Sequence, residues 1–127
     1  MKRLLTAAVF AGTLSILASA AFAMPPVKTA NTAQGPVLTD AKGMTLYTFK
    51  KDTLGKSACY GKCAVNWPPL AAGAEVKGDG DYSVITRDDG KKQWAYKGKA
   101  LYGWVKDEKP GQTTGHGVKG VWEVARP

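Results

Sequence analysis

Sliding the chain along itself by 55 positions lays Lys42 on Lys97, Gly43 on Gly98, Leu46 on Leu101 and Tyr47 on Tyr102. The same shift lays Lys51 on Lys106, Asp52 on Asp107 and Trp67 on Trp122, and sets Phe49 against Trp104. So many aromatic and acidic matches at one ungapped shift mark an internal repeat. This repeat constrains the fold more than any other feature. A unit this short cannot cover its own apolar face, so the two copies must bury theirs against each other.

A second likeness lies upstream. Val37-Leu38-Thr39-Asp40-Ala41-Lys42-Gly43 resembles Val84-Ile85-Thr86-Arg87-Asp88-Asp89-Gly90, at a shift of 47. The two shifts differ by eight, which implies an insert over 91–98 in the second copy, with Gln93-Trp94-Ala95-Tyr96 as an added strand. Alternation and turn residues place strands at 37–39, 44–49, 82–86, 93–96, 100–105 and 121–125. Ala41-Lys42-Gly43 and Asp88-Asp89-Gly90 read as turns, and Lys97-Gly98 as a hairpin tip. Trp67-Pro68-Pro69-Leu70 reads as extended, because proline removes the ladder donor and fixes φ. Only 57–64 suits a helical turn. The expected fold is all-β: a small single domain of two related β-rich repeats, about 35–72 and 81–126, with short strands and a Cys-containing loop.

In each copy an Asp follows an aromatic by three residues and precedes a Trp by 15: Phe49, Asp52 and Trp67, then Trp104, Asp107 and Trp122. A carboxylate there can accept backbone N–H bonds in the loop after its strand, as Asx residues do. Tyr47, Tyr102 and the tryptophans would then pack across the repeat interface with their polar atoms bonded at its edge. The rival reading is a ligand site, since Trp, Tyr and Asp also serve sugar binding. Two-fold repetition favours packing.

The N-terminus reads as an export signal. Lys2 and Arg3 form a basic start, 4–17 is apolar and uncharged, and Ala21-Phe22-Ala23 supplies a cleavage site after Ala23. The apolar run is shorter than the ~20 residues of a spanning helix. No later segment is apolar enough to span a bilayer. Residues 24–34 are expected as a flexible leader and 35–127 as the folded domain. The chain has 18 Lys+Arg against 10 Asp+Glu, and loss of Lys2 and Arg3 leaves 16 against 10, a net +6. That excess points to an anionic envelope component or a periplasmic protein as partner, with the bland alternative of a solvated basic surface. Export removes nucleic acid from the partner classes.

Cys59 and Cys63 are the only cysteines, with three residues between them. In an oxidising compartment an even pair reads first as a disulfide. So small a ring contributes only ~2 kcal/mol by loop entropy, so it would set the local loop over 57–67. The spacing is wrong for a thioredoxin-type motif. No His follows Cys63 for a c-type haem, and two Cys and one His are too few for structural zinc. A reduced pair holding Cu(I) remains open.

The segments Tyr47-Thr48-Phe49-Lys50-Lys51-Asp52 and Tyr102-Gly103-Trp104-Val105-Lys106-Asp107 resemble a bacterial family of secreted repeats and predicted lipoproteins. That family is defined by a Tyr-x-(Phe/Trp/Tyr)-x-x-Asp motif. The Cys59 to Cys63 pair, Trp67-Pro68-Pro69-Leu70 and Gly120-Val121-Trp122 look like its other landmarks, over about 35–126. The resemblance implies export and a small repeated domain. It implies no activity, the family being of unknown function. Many members look like lipoproteins, but here no Cys lies near the cleavage site for lipid attachment.

Catalytic constellations are absent from the pattern. His116 sits in Gly115-His116-Gly117, read as a loop with a solvated side chain, and no nucleophile elbow accompanies it. No phosphate-cradling loop and no His-rich metal motif occurs. The expectation is an exported, periplasmic or secreted, non-enzymatic binding or interaction module with no cofactor and no metal site. Two alternatives carry named residues. A redox or copper accessory protein would use Cys59 and Cys63 with Met44 or His116. A cell-wall carbohydrate enzyme would need Asp52 and Asp107 to meet across the repeat.

Overall fold

Gly35 and Gly90 show how each copy begins. Both backbones are left-handed, at φ 84° and 83°, a region that favours glycine because it lacks Cβ. Each glycine ends a tight turn between two antiparallel strands, and the two lie 55 residues apart. The structure, a computed structural model, describes residues 25–127. The expected signal segment and its cleavage after Ala23 lie outside the described residues.

Seven short strands carry the fold: β1 (Val27–Thr32), β2 (Gly35–Asp40), β3 (Tyr47–Phe49), β4 (Tyr82–Thr86), β5 (Lys92–Tyr96), β6 (Lys99–Ala100) and β7 (Trp122–Val124). One short helix, α1 (Lys62–Asn66), and a 3-10 turn at Val118–Gly120 complete the regular structure described. The fold is all-β, in a small single domain. Among the described residues no helix is long and apolar enough to cross a membrane.

Two expectations are corrected together. Residues 27–32, expected within a flexible leader, form β1, which pairs along its length with β2, Val27 opposite Asp40 and Thr32 opposite Gly35. β4 and β5 pair likewise, Tyr82 opposite Tyr96 and Thr86 opposite Lys92. A shift of 55 carries Val27 to Tyr82 and Gly35 to Gly90, so β1 matches β4 and β2 matches β5. The strand at 93–96 is therefore no insert: the first copy has its counterpart, and that copy begins near 27 rather than 35. The likeness at shift 47 compared β2 and its turn with β4 and its turn, which share a Val-aliphatic-Thr pattern and the turn glycines Gly43 and Gly90 but are not equivalent strands. Turn lengths account for the remaining difference. The first hairpin turns through Ala33-Gln34 and the second through Asp88-Asp89-Gly90. At the next turn the order reverses, with Ala41-Lys42-Gly43 in the first copy and Lys97-Gly98 in the second.

The copies exchange partners. β3 of the first copy pairs with β7 of the second, Tyr47 opposite Val124 and Phe49 opposite Trp122. In the same register, Tyr102 of the second copy bridges to Pro69 of the first, and Gly103 N–H donates to Pro68 O at 2.8 Å. The Trp-Pro-Pro segment thus runs extended, giving carbonyls to a partner that needs few donors in return. At the centre Tyr47 and Tyr102 exchange backbone bonds, N to O at 2.8 and 3.0 Å. Outward, Leu46 O accepts from Ala125 N–H at 2.8 Å, and Leu101 O accepts from Leu70 N–H at 2.9 Å. Each of these bonds between the copies has a counterpart after 55 residues, which defines a pseudo-two-fold axis between the two tyrosines. The expected strand at 44–49 shortens to β3, and of that at 100–105 only Ala100, in β6, and the isolated bridges of Tyr102 are observed, because this crossing lets each segment change neighbour midway.

Side chains on the crossing segments are buried on both faces. Val37, Tyr47, Trp67, Tyr102, Trp122 and Val124 pack on one side. Leu38, Leu46, Trp94, Leu101 and Ala125 pack on the other. Successive residues of a strand point to opposite faces, so pairs such as Leu46-Tyr47 and Leu101-Tyr102 serve both cores at once.

Candidate functional site

The motif residues meet where the copies cross. The Tyr47 hydroxyl donates to Asp107 Oδ2 at 2.6 Å, and the Tyr102 hydroxyl donates to Asp52 Oδ2 at 2.7 Å. Each tyrosine therefore bonds the acid of the other copy. The second oxygen of each acid holds the loop after its own strand. Asp52 Oδ1 accepts Ala58 N–H at 2.7 Å, while Asp107 Oδ1 accepts the Thr114 N–H at 3.0 Å and its hydroxyl at 2.6 Å. Gly115 N–H completes the second arm by donating to the Tyr47 oxygen at 3.2 Å. A Cβ on Gly115 would stand 2.9 Å from the rings of Trp67 and Tyr47, so only glycine lets that loop come so close.

Electrostatics follow from this enclosure. Burial, joined by the Asp107 carboxylate, holds the Tyr47 phenol well above its ordinary range. Burial does the same to Tyr102, with Asp52 adding to it. The Asp52 carboxyl is pushed up by burial, against the pull of Tyr102, Ala58 N–H and Arg87. Asp52 and Asp107 do not meet across the repeat. Each oxygen of both is already bonded within the protein. Asp52 also borders a cleft of about 460 Å³ with Phe49, Leu54 and Lys99.

The aromatic motif residues form one stack. Trp67 and Trp122 lie face to face at the centre, 3.8 Å apart. Phe49 covers Trp122 at 4.2 Å and Trp104 covers Trp67 at 3.9 Å. Tyr47 and Tyr102 meet Trp67 and Trp122 edge-on at 5.4 and 5.1 Å. The sequence Phe49–Trp122–Trp67–Trp104 alternates between copies and obeys the same pseudo-two-fold. Trp104 ends the stack, and its buried Nε1 has no partner. It lines a cleft of about 660 Å³ with Asn66, Trp67, Thr114, Lys106 and Lys119.

The first copy adds the cysteine loop. Cys59 and Cys63 are disulfide-bonded, S–S 2.05 Å, and Cys59 is fully buried. The helical turn expected at 57–64 falls later, in α1, because Gly61 at φ 58° breaks the chain before it. A buried cation that the sequence did not single out anchors this loop. Arg87, 3% exposed, donates to Ser57 Oγ at 2.9 Å, Gln93 Oε1 at 2.7 Å and Cys59 O at 2.5 Å. Its guanidinium lies 4.5 Å from the Tyr60 ring centre, and exposed Asp89 pairs with it at 3.3 Å. Ser57 Oγ also bonds the Tyr102 hydroxyl at 2.6 Å, joining Arg87 to the lock. The only forewarning was an arginine between a strand and the Asp88-Asp89-Gly90 turn, which sequence reads as surface.

His116 is corrected from a solvated side chain to a half-buried acceptor: its Nδ1 takes the Val124 N–H at 3.1 Å. The loop folds back on β7, which a glycine on either side permits. Met44 and His116 do not join the disulfide in any contact described. Among the described residues no three His, Cys, Asp or Glu side chains come together.

A family model described as a secreted repeat of unknown function matches the chain twice, over residues 28–71 and 83–126. The matched stretches are themselves 55 residues apart, and they start on the β1 and β4 hairpins rather than at the turn before the motif. No curated protein and no solved structure matches the chain. Since the two matches span most of it, the chain belongs to this family and is an exported protein.

Proposed function

We propose that this secreted-repeat protein is a non-enzymatic binding module of the bacterial envelope, periplasmic or released, whose partner is anionic. The observation that carries the reading is how the charges are divided. Both motif acids are consumed in internal bonds. Arg87–Asp89 is the one ion pair among the described residues, so the lysines of 25–127 offer their charge unpaired. A rigid β scaffold with a basic, unpaired surface attracts polyanions and gains affinity as counterions are released. The disulfide serves that rigidity by shaping the Cys59 loop.

Retention of the mature protein on immobilised envelope polymers tests this. Binding to anionic polymers, absent on neutral ones and lost between low and high salt, is the expected result. Equal retention on neutral and anionic supports, or none at low salt, overturns it.

A further inference from the structure

The geometry points to a binding site for an acidic sugar ring on the outer face of Trp104. This rests on the reading of the protein as a binder of anionic envelope components, and it names the place and the chemistry.

The stack has two ends, and they differ in charge. Phe49 borders a cleft where the carboxylates of Asp52 and Glu123 offset the ammonium groups of Lys50 and Lys99. Trp104 borders the larger cleft, about 660 Å³, lined by Lys106 and Lys119 and by no carboxylate. Volumes of this size suit small-molecule sites built from an apolar wall and a few polar groups. Trp67 has both faces covered, by Trp122 and Trp104. Trp104 has one face on Trp67 and is itself only half-buried, so it presents an aromatic wall to the cleft.

Three details give the wall its specificity. Lys106 Nζ lies over the Trp104 ring, 5.7 Å from its centre, so a cation already stands at the wall and its flexible side chain must swing aside as a sugar ring covers the indole. Lys119 holds φ 52°, a left-handed conformation that glycine or asparagine adopts more easily. Uncommon backbone of this kind concentrates at ligand sites. The buried Trp104 N–H is unbonded, a donor that the protein's own groups leave open beside the cleft. A pyranose carrying a carboxylate answers these features together. Its C–H face covers the indole, its carboxylate reaches the two ammonium groups, and a hydroxyl meets the exposed Asn66 amide.

The test is calorimetric titration of the mature protein with oligogalacturonate, the neutral oligogalactose counterpart and phosphatidylglycerol vesicles. The expected result is binding of oligogalacturonate only. It should weaken about tenfold in Lys106→Gln/Lys119→Gln, two exposed changes that spare the core. A charge-matched Lys28→Gln/Lys77→Gln variant should stay within about twofold of the parent. Trp104→Leu should abolish binding, and a circular-dichroism spectrum keeps folding separate from affinity. Oligogalacturonate binding that both lysine pairs weaken equally overturns this site and leaves the anion-binding reading standing. So does binding of the vesicles alone. Binding of no anion overturns both.

Discussion

Removing the Tyr47 hydroxyl tests the crossing of the copies most sharply. Tyr47→Phe deletes the 2.6 Å bond to buried Asp107 and the acceptor of Gly115 N–H. A hydrogen bond to a charged group contributes ~1.5–3 kcal/mol, and an orphaned N–H costs about 1 more, so the expected loss is ~2–4 kcal/mol. Tyr102→Phe deletes the bond to half-buried Asp52, which can recruit water, and the acceptor of the buried Ser57 O–H, so its expected loss is ~2–3 kcal/mol. Asp52→Asn should cost less than Asp107→Asn, because water can reach half-buried Asp52 while Asp107 is buried. Urea unfolding of the single and double variants gives the couplings. The crossed pair Tyr47/Asp107 should couple by ~1–3 kcal/mol, and the within-copy pair Tyr47/Asp52 by less than about 0.5. A within-copy coupling that exceeds the crossed one refutes the reasoning.

Three further outcomes follow from the same contacts. Gly115→Ala, whose methyl would enter the Trp67 and Tyr47 rings at 2.9 Å, should lower stability by ~1–3 kcal/mol in the same unfolding assay. Arg87→Ala should cost ~3–5 kcal/mol, because it strips donors from Ser57, Gln93 and Cys59 O in the core, and thermal melting reads the loss. Tyr47 and Tyr102 keep their phenol protons where the unfolded chain, near an ordinary value of 10.0, would release them. The stability this lends is whole below pH 10 and falls as pH rises above it, so phenolate absorbance should show these two ionising only as the protein unfolds.

Much of this lock was visible in the sequence because its parts are chemically rare. Tyr, Trp and Asp at a constant shift identify themselves, and a loop-binding role for Asp52 and Asp107 follows from carboxylate chemistry. The reciprocity was not visible. A repeat tells which residues are equivalent and leaves open whether Tyr47 turns to its own copy or the other. β1 escaped because Lys28, Thr29 and Asn31 face solvent on an edge strand, so its pattern resembles a polar linker. Arg87 escaped because its burial depends on acceptors 6 to 30 residues away, one of them a backbone carbonyl. The Trp104 cleft is legible only in three dimensions, since Asn66, Trp104 and Lys119 come from three separate segments.

Hydrogen exchange of the mature protein measures the central claim, that the two copies are interlocked halves of one domain. The Tyr47 and Tyr102 amides, which donate to each other's carbonyls at 2.8 and 3.0 Å, should exchange only through global unfolding and with the same free energy. The Ala125 and Leu70 amides should join them, each bonded to a carbonyl of the opposite copy. Protection that survives in one copy after it is lost in the other would contradict the account.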